Sequence, residues 1–432
     1  MTSKNDDENI LDEKKYELFL SRTEKNKRLK QGIIWKKNPE LVSKEKIFYT
    51  EKDKALIKQL LFNPIPSEFR AEYWFISTGA KLEYNNNPGY YDKLKKLLEK
   101  HKNFPFVKTI SLDLRRTFPG NPFFKDEENL KKLSNILNSF ALRNCSSINY
   151  CQGFNYIAAQ LLYVVRDEEK VFWIFTKIIE DYLPFDFYLK FTGVRADMSI
   201  VHSFIVKKLD YIDKNEELKL CINNLISRCF ISLYSEIVEV NILYSIWDAF
   251  FIYGDTILFR TFKFIAYLLC EKKFKKYNIE IVHEELTKKL HQITNNDLLN
   301  YFLLIEKNIN DSFIAENRKI KRHKIYKQNG QFDESLGESG IQCDLKSPFC
   351  YYNNIINEIS KFSEFKVFKL KQNTKRIDNY FLDKCNNENK DSDKDNDNKN
   401  IIKDEICEVN FDDVLIERME HKCQENNEIK KE

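Results

Sequence analysis

The sequence predicts an all-α protein. Glycine and proline are scarce, with 10 and 9 among 432 residues, whereas a β-sandwich needs many turns of the kind that these residues form. Apolar residues recur at helical spacing through the middle of the chain, and no series of segments shows the apolar–polar alternation of strands. Hydrophobic residues make up 42% of the chain, which is ample for a large core. We therefore expect a bundle of many helices.

Proline-containing segments delimit the first helices of this bundle. The segment Asn63–Pro66 carries two prolines, which interrupt the helical pattern that precedes it. The helix that follows is ended by Gly79, since glycine is common just past a helix C-terminus. The next helix covers Tyr90–His101, and its outer face is rich in lysine.

A short helix is predicted to end near Arg116. A second break at Phe104–Phe106 precedes it, and either Thr109 or Ser111 can cap its start. The segment Thr117–Pro122 contains two prolines and a glycine, so the helix stops at once. An arginine beside a rigid turn is held in a defined direction. Taken alone, Arg116 would be interpreted as a charge that complements the helix dipole.

Longer apolar helices make up the rest of the bundle. An amphipathic helix covers Glu127–Asn144, and a second helix covers Ile148–Val165 with Gln152 in its first turn. Further helical patterns continue to about residue 269 and again over Leu298–Ile305. Within them, we expect Asp248 to form a structural pairing.

The two ends of the chain differ from its middle. Residues 1–48 form a polar N-terminal arm, interpreted as a flexible lead-in with a docked helix rather than as a partner-binding arm. We expect one domain over 49–310 and a charged tail rich in Asn, Lys and Asp over 311–432, which is largely disordered because stretches such as 385–403 have few apolar residues. The basic cluster Arg318–Lys324 is interpreted as a solvated helix end, in preference to a nuclear-import or phosphoinositide-binding segment.

Composition restricts the class of protein. The 70 basic and 66 acidic residues give a net charge of only +4, which argues against a nucleic-acid-binding protein with a concentrated basic patch. Ten cysteines without a C-x-x-C pair favour reduced thiols over disulfides or a zinc site. The N-terminus has no apolar signal-peptide core, and no apolar run reaches membrane-spanning length. We therefore expect a cytoplasmic protein.

Two polar side chains stand out for their chemistry, those of Arg116 and Gln152. Arginine supplies a permanent cation with forked donors that suit phosphate oxygens. Glutamine can accept a hydrogen bond from a water and donate one to an oxyanion. Hydrolysis of a nucleoside triphosphate needs both at its transition state. Asp113 lies three residues before Arg116 and Asn155 three after Gln152, so on a helix each pair would share a face.

At these residues the chain resembles the TBC-domain family of Rab GTPase-activating proteins. The arginine-finger motif I-x-x-D-x-x-R and the glutamine-finger motif Y-x-Q-G-x-N occur in the family's order, about one helical hairpin apart. Their fixed residues are Ile110, Asp113 and Arg116 in the first motif, and Tyr150, Gln152, Gly153 and Asn155 in the second. Either motif alone is a weak signal, whereas the ordered pair is specific. The glycine of the second motif lets another backbone come close.

Two further segments match the family. Arg70 and Trp74 stand where the opening R-G-x-x-W motif has its arginine and tryptophan, with Ala71 in place of the usual glycine. This departure affects helix packing rather than catalysis. Residues 246–254 read I-W-D-A-F-F-I-Y-G and match the W-D-x-x-F-x-x-G block. For Arg70, we favour a structural ion pair over a catalytic role. The resemblance covers Pro64–Lys307.

The resemblance implies a two-lobed helical domain, with its motifs within about residues 64–260, that acts on a GTP-bound Rab GTPase in trans. Arg116 would contact the γ-phosphate and Gln152 would orient the attacking water. Asp113 would hold Arg116, while Tyr150 and Asn155 would support the glutamine segment, and Arg70 and Trp74 are further supporting residues. The protein would then regulate vesicle-mediated transport, reaching endomembranes transiently through its Rab.

The chain is expected to have no cofactor of its own. It contains neither the G-x-x-x-x-G-K-[ST] nor the G-x-G-x-x-G phosphate-binding pattern, and no metal motif such as H-E-x-x-H. GTP and Mg²⁺ would therefore arrive on the partner GTPase. The chain would be an activator of a GTPase rather than a free-standing hydrolase.

Two alternatives of other classes remain on the sequence alone. The first is a catalytically weak Rab-binding scaffold or effector with the same fold, against which the intact Arg116 and Gln152 argue. The second is an unrelated helical scaffold with accidental motif matches, against which the four ordered motifs argue. A turnover assay with GTP-loaded Rabs separates the activator from the scaffold.

Overall fold

The computed structural model describes residues 35–61, 65–100, 104–144, 148–184, 186–207, 212–270 and 308–328, together with Glu284, Leu298, Leu299, Tyr301 and Leu303. Regular structure within these residues is helical throughout, which confirms the all-α prediction. Across the described helices, the combination of length and apolar content that a membrane span requires does not occur.

The α-helices are α1 (Glu51–Leu60), α2 (Ser67–Ser77), α3 (Ala80–Asn86), α4 (Tyr90–Lys100), α5 (Pro105–Arg115), α6 (Glu127–Arg143), α7 (Phe154–Val165), α8 (Glu168–Lys177), α9 (Thr192–Val206), α10 (Glu216–Ile231), α11 (Val240–Tyr253), α12 (Thr256–Cys270) and α13 (Asp311–Gln328). Short 3-10 segments lie at Pro39–Val42, Pro122–Lys125 and Leu189–Phe191, and a π-helical segment lies at Ile178–Tyr182.

Helix α8 lies at the centre of the N-terminal group of helices. It packs against α3, α6 and α7, and its residues Phe172, Trp173 and Phe175 are buried. Phe140 of α6 and Phe154 of α7 both meet Phe175 edge to face, with ring centroids 4.8 and 5.4 Å away. Helices α4 and α5 pack against α6. Buried aromatic side chains of this size contribute much of the hydrophobic stabilisation of this core.

Helix α9 organises the C-terminal group. It packs against α10, α12 and α13. Helix α11 contacts α12 in this group and also α1 and α2 in the other, so it joins the two. This grouping is what a two-lobed bundle requires.

The helix that carries the arginine motif begins earlier than the sequence predicted. Its first residue is Pro105, where we expected a break and a later cap at Thr109 or Ser111. Proline suits the first helical position, because the N–H that it lacks would be unpaired there and its φ is already helical. Helix α5 is consequently 11 residues long, and Asp113 points from it into the protein.

The helix that carries the glutamine motif begins later than predicted. Helix α7 starts at Phe154 rather than Ile148, because Gly153 has φ +112°, which no helical residue adopts. Gln152 therefore lies in the turn before the helix and not in its first turn. Gly79 does end α2, with φ +74°, as predicted.

The packed region extends past both boundaries that the sequence suggested for the domain. Trp35 is 1% exposed, and its ring lies 6.4 Å from that of Phe69 and 5.9 Å from that of Tyr73. The protein is therefore ordered against α2 well before residue 49. At the other end, α13 packs on α9, so the packing continues beyond residue 310.

The prediction of a solvated basic cluster in α13 is wrong for its two arginines. Arg318 is 8% exposed and donates to both carboxylate oxygens of Asp197, at 2.7 and 2.6 Å. It also contacts Asp255 at 2.6 Å, and Arg322 contacts Asp186 at 2.5 Å. Three acidic partners from elsewhere in the fold thus hold α13 in place. The rest of the predicted tail and most of the predicted arm lie outside the described residues.

Candidate functional site

Helix α5 presents Arg116 at its C-terminal end. The backbone N–H of Arg116 donates to the carbonyl of Asp113 at 3.2 Å and closes the last turn. Ile110, Asp113 and Thr117 face the protein and are at most 4% exposed, whereas Arg115 and Arg116 are exposed. The buried stripe fixes the rotation of the helix, and thereby the direction in which Arg116 leaves it.

The Arg116 side chain is oriented by a buried carboxylate. Its Nε donates to Oδ1 of Asp113 at 2.9 Å, and one terminal nitrogen lies 2.7 Å from the same oxygen. The Asp113 side chain is 6% exposed, but that of Arg116 is 51% exposed. These contacts take up one edge of the guanidinium while half of the side chain faces solvent. The cation is therefore aimed but still available to a ligand outside the protein.

The second oxygen of the same carboxylate holds the glutamine motif. The Tyr150 hydroxyl donates to Oδ2 of Asp113 at 2.6 Å. Burial, together with the hydrogen bond to this anion, raises the pKa of Tyr150 well above its usual range. The hydroxyl therefore remains a donor at any physiological pH. Asp113 therefore fixes the position of Arg116 relative to Tyr150, which lies two residues before Gln152.

A second bridge between the two motifs runs through Asn155 and Thr117. Nδ2 of Asn155 donates to Oγ1 of Thr117 at 2.8 Å, and that hydroxyl donates to the carbonyl of Asp113 at 2.7 Å. Oδ1 of Asn155 accepts from the N–H of Gly153 at 3.1 Å, and it lies 3.5 Å from the Tyr150 hydroxyl oxygen, whose proton goes to Asp113. Asn155 is fully buried, so each of these bonds compensates a desolvated polar group.

Thr117 is a site residue that the sequence analysis missed. It was assigned only to the turn that ends α5, yet its hydroxyl joins α5 to α7. The available signal was its spacing, since Thr117 lies four residues after Asp113 and so on the same face of a continuing helix.

Gly153 allows the Gln152 turn to lie against the end of α10. A Cβ built on Gly153 would come within 2.8 Å of Cγ2 and 3.2 Å of the carbonyl oxygen of Ile231. That carbonyl also accepts a hydrogen bond from the Tyr188 hydroxyl at 2.9 Å. The close backbone approach predicted for Gly153 is confirmed. The turn leaves Gln152 exposed at the mouth of α7.

Cys151, beside Gln152, is not a candidate nucleophile. Burial, with a smaller effect from the nearby Asp113 carboxylate, raises its pKa to about 12. The side chain therefore stays a neutral thiol near pH 7, and the thiolate that nucleophilic chemistry needs is absent.

Arg70 and Trp74 belong to a separate structural cluster around Asp248. Nε of Arg70 lies 3.2 Å from both carboxylate oxygens of Asp248, and Nε1 of Trp74 donates to one of them at 2.7 Å. The Tyr73 hydroxyl donates to the Asp248 carbonyl at 2.7 Å. The ion pair favoured for Arg70 and the structural pairing of Asp248 are confirmed. These contacts join α2 to α11 and include none to Arg116 or Gln152.

Comparisons with known proteins find a family profile and several relatives that match the middle of the chain. Residues 67–277 match the family profile described as the Rab-GTPase-TBC domain. Growth hormone-regulated TBC protein 1 of Xenopus laevis is 33% identical over 208 residues, which cover 47% of this chain and 60% of that protein. The human protein of the same name is 31% identical over 208 residues, covering 47% and 61%. The chain thus matches about 60% of the length of these relatives.

A solved structure supports the fold. The crystal structure of the Chlamydomonas flagellar RabGAP TBC domain superposes with a TM-score of 0.52 at 19% sequence identity, over 66% of this chain and 96% of that one. At this level of identity the match concerns the arrangement of helices, and it agrees with the two-group bundle described above.

Proposed function

The chain belongs to the TBC-domain family of Rab GTPase-activating proteins, and from this premise we propose that it stimulates GTP hydrolysis by a Rab-family GTPase with Arg116 and Gln152 supplied in trans. The observation that carries the proposal is the shared carboxylate of Asp113. One of its oxygens holds Arg116 and the other holds Tyr150, so the two finger-bearing segments are positioned as one unit.

Arg116 acts on the charge that develops during phosphoryl transfer. Its guanidinium enters the nucleotide site of the partner and donates to the γ-phosphate and to the region of the β–γ bridge. Planar forked donors suit those oxygens. Because Asp113 already fixes the side chain, little conformational freedom is lost when Arg116 enters the site. Arginine fingers generally contribute ~10³ to 10⁵ in rate, which corresponds to roughly 4 to 7 kcal/mol.

Gln152 positions the attacking water. Its amide carbonyl accepts from the water while its amide nitrogen donates toward the phosphate oxygens. The exposure of Gln152 at the mouth of α7 and the tight seat of Gly153 on Ile231 support this role, since a glutamine on a fixed turn keeps its direction. Tyr150 and Asn155 position this turn and do not themselves touch the nucleotide.

The nucleotide and its Mg²⁺ are part of the partner in this proposal. The chain then provides two side chains to a reaction whose substrate, metal and base-recognition site all lie on the GTPase. Its biological output would be the switching-off of a Rab in vesicle-mediated transport, at whichever membrane carries that Rab.

The test is a hydrolysis screen with purified GTPases. The full chain is mixed with each member of a panel of GTP-loaded Rab proteins, and phosphate release is followed in a single turnover. Acceleration of at least one Rab, dependent on the concentration of the chain, is the expected result. Binding of a GTP-loaded Rab without any acceleration would favour the scaffold instead, and would reject the proposal.

A further inference from the structure

Among the residues of α5 whose exposure the structure describes, Leu112 is the one apolar residue that is mostly exposed, at 58%. Its neighbours on the exposed face of α5 are polar or basic. Lys108 lies four residues before it, and Arg115 and Arg116 follow three and four residues after it, all of them exposed. Residues at these spacings are adjacent on a helix surface. Leu112 is therefore an exposed apolar contact point with cations before and after it along the helix.

The fold prevents Leu112 from turning inward. Ile110, Asp113 and Thr117 occupy the inward side of α5, with exposures of 0, 4 and 1%. Asp113 is further held by Tyr150 from the glutamine segment. The helix cannot rotate about its axis without breaking these contacts. The exposure of Leu112 is thus a fixed property of the same helix that aims Arg116.

A partner that receives Arg116 must also cover Leu112. Four residues along a helix correspond to about 6 Å, and both side chains leave the same face. A stable protein–protein interface buries roughly 800 Å² on each partner, which corresponds to a disc with a radius of about 16 Å. Leu112 lies well inside such a footprint around Arg116.

We infer that Leu112 is an apolar anchor for the GTPase and contributes to the choice of its partner. The inference rests on the proposed function and adds a binding residue to it. The surface that fits is an apolar depression beside the nucleotide site, bordered by acidic groups that face Lys108 and Arg115. An apolar centre with a charged rim is the usual arrangement of energetically important contacts in interfaces.

This role predicts a specific kinetic signature. Leu112 contacts the GTPase away from the reacting phosphate, so it binds the ground state and the transition state alike, and its loss weakens association without slowing the chemical step. Leu112→Ala should raise the concentration of the chain that gives half-maximal acceleration about five- to tenfold. The rate at saturation should remain unchanged. Leu112→Glu should raise the half-maximal concentration further, because it also places an anion opposite an acidic rim.

The experiment uses the full chain and a Rab that the unsubstituted chain accelerates. Single-turnover phosphate release is measured over a range of chain concentrations for Leu112→Ala, for Leu112→Glu and for the control Leu220→Ala. Leu220 is 71% exposed and lies near the opposite end of α10 from Ile231, so its loss should change neither parameter. Thermal unfolding of each variant checks that the fold is intact, as expected for exposed positions.

The outcomes separate this inference from the proposed function. The inference would be overturned if the half-maximal concentration were unchanged in both Leu112 variants. It would also be overturned if the saturating rate fell while the half-maximal concentration stayed the same. Either result would leave the activator function in place. If the unsubstituted chain accelerates none of the Rabs, the proposed function fails, and the anchoring role, which depends on it, fails as well.

Discussion

The Tyr150 hydroxyl donates to Oδ2 of Asp113 at 2.6 Å across a separation of 37 residues in the chain. Because Oδ1 of the same carboxylate binds Arg116, one buried anion orients a side chain on α5 and a turn before α7. A displacement of either segment changes the position of the other. In the proposed function, Arg116 and Gln152 must meet one phosphate group, and this coupling would serve that role, since errors of about 1 Å in position can cost ~10² in rate.

Arg116→Ala should reduce the stimulated rate by at least ~10². Arg116→Lys should lose the stimulated rate as well, because lysine lacks the planar fork that matches phosphate oxygens. Arg115→Ala is the matched control, since Arg115 is equally basic and exposed but leaves the helix about 100° away. It should lower the rate far less. The measurement is single-turnover phosphate release at saturating chain with a cognate Rab. A dead Arg115 variant beside a nearly normal Arg116 variant would mean that the motif register is wrong.

Gln152→Ala should lower the saturating rate as Arg116→Ala does, by at least ~10², and Gly153→Ala should approach that loss. The added Cβ would need φ +112° and would meet Ile231 at 2.8 Å, so the turn that carries Gln152 must move. Gly254→Ala is the control for backbone strain alone, because Gly254 has φ +79° but no atom within 4 Å of its built Cβ.

Both glycine variants should lower the melting temperature, since a left-handed backbone is unfavourable for alanine. Only Gly153→Ala should reduce the saturating rate when the assay is run well below the melting temperatures. Equal losses of rate in the two variants would show that strain in general, and not the position of Gln152, is responsible.

Thr117→Val should lower the saturating rate about tenfold or more, because it breaks one of the two hydrogen-bonded bridges between the motifs and shifts Arg116 relative to Gln152. Valine keeps the shape of threonine but leaves Nδ2 of Asn155 buried without its acceptor, at a cost of about 1–3 kcal/mol in the free energy of unfolding. Thr117→Ser retains the hydroxyl and should restore most of the rate. The check is the saturating rate of both variants together with urea unfolding. A valine variant that loses stability but keeps its full rate would limit Thr117 to a structural role.

Local sequence patterns were sufficient to predict much of this protein. Helical periodicity predicted the all-α class, and two residues of the finger motifs, Arg116 and Tyr150, are the ones that bond the Asp113 carboxylate. The boundaries of α5 and α7 differ from the predicted ones because Pro105 starts a helix instead of breaking one, and because Gly153 has a positive φ that ends the helical pattern before Phe154. In each case a second local rule sets the boundary, since proline suits the first helical position and a residue with positive φ lies outside a helix.

Other features could not be predicted because they depend on distant segments. The partners of Thr117 and Arg318 lie 38 and 121 residues away in the chain, and no spacing rule connects them. Arg318 belongs to a sequence that is basic and polar, which resembles a solvated helix. Its burial becomes evident only when α9 supplies Asp197 and the segment before α12 supplies Asp255.

The C-terminal helix gives the last prediction. If the domain ended at residue 310, as the sequence predicts, deletion of 311–432 would leave the activity mostly intact. The structure indicates a different outcome, since α13 packs on α9 and its Arg318 forms ion pairs with two carboxylates, those of Asp197 and Asp255. Removing one partner of a buried ion pair typically costs about 3–5 kcal/mol. We therefore expect the 311–432 deletion and Arg318→Ala to lower the melting temperature strongly.

Deletion of 329–432 is the control and should leave both the melting temperature and the stimulated rate close to those of the full chain, because all the described contacts of α13 and all four motifs are retained. Calorimetry on the three variants, with the hydrolysis assay at low temperature, distinguishes these cases. A 311–432 deletion that melts like the full chain would mean that the ion pairs of α13 contribute nothing to the stability of the domain.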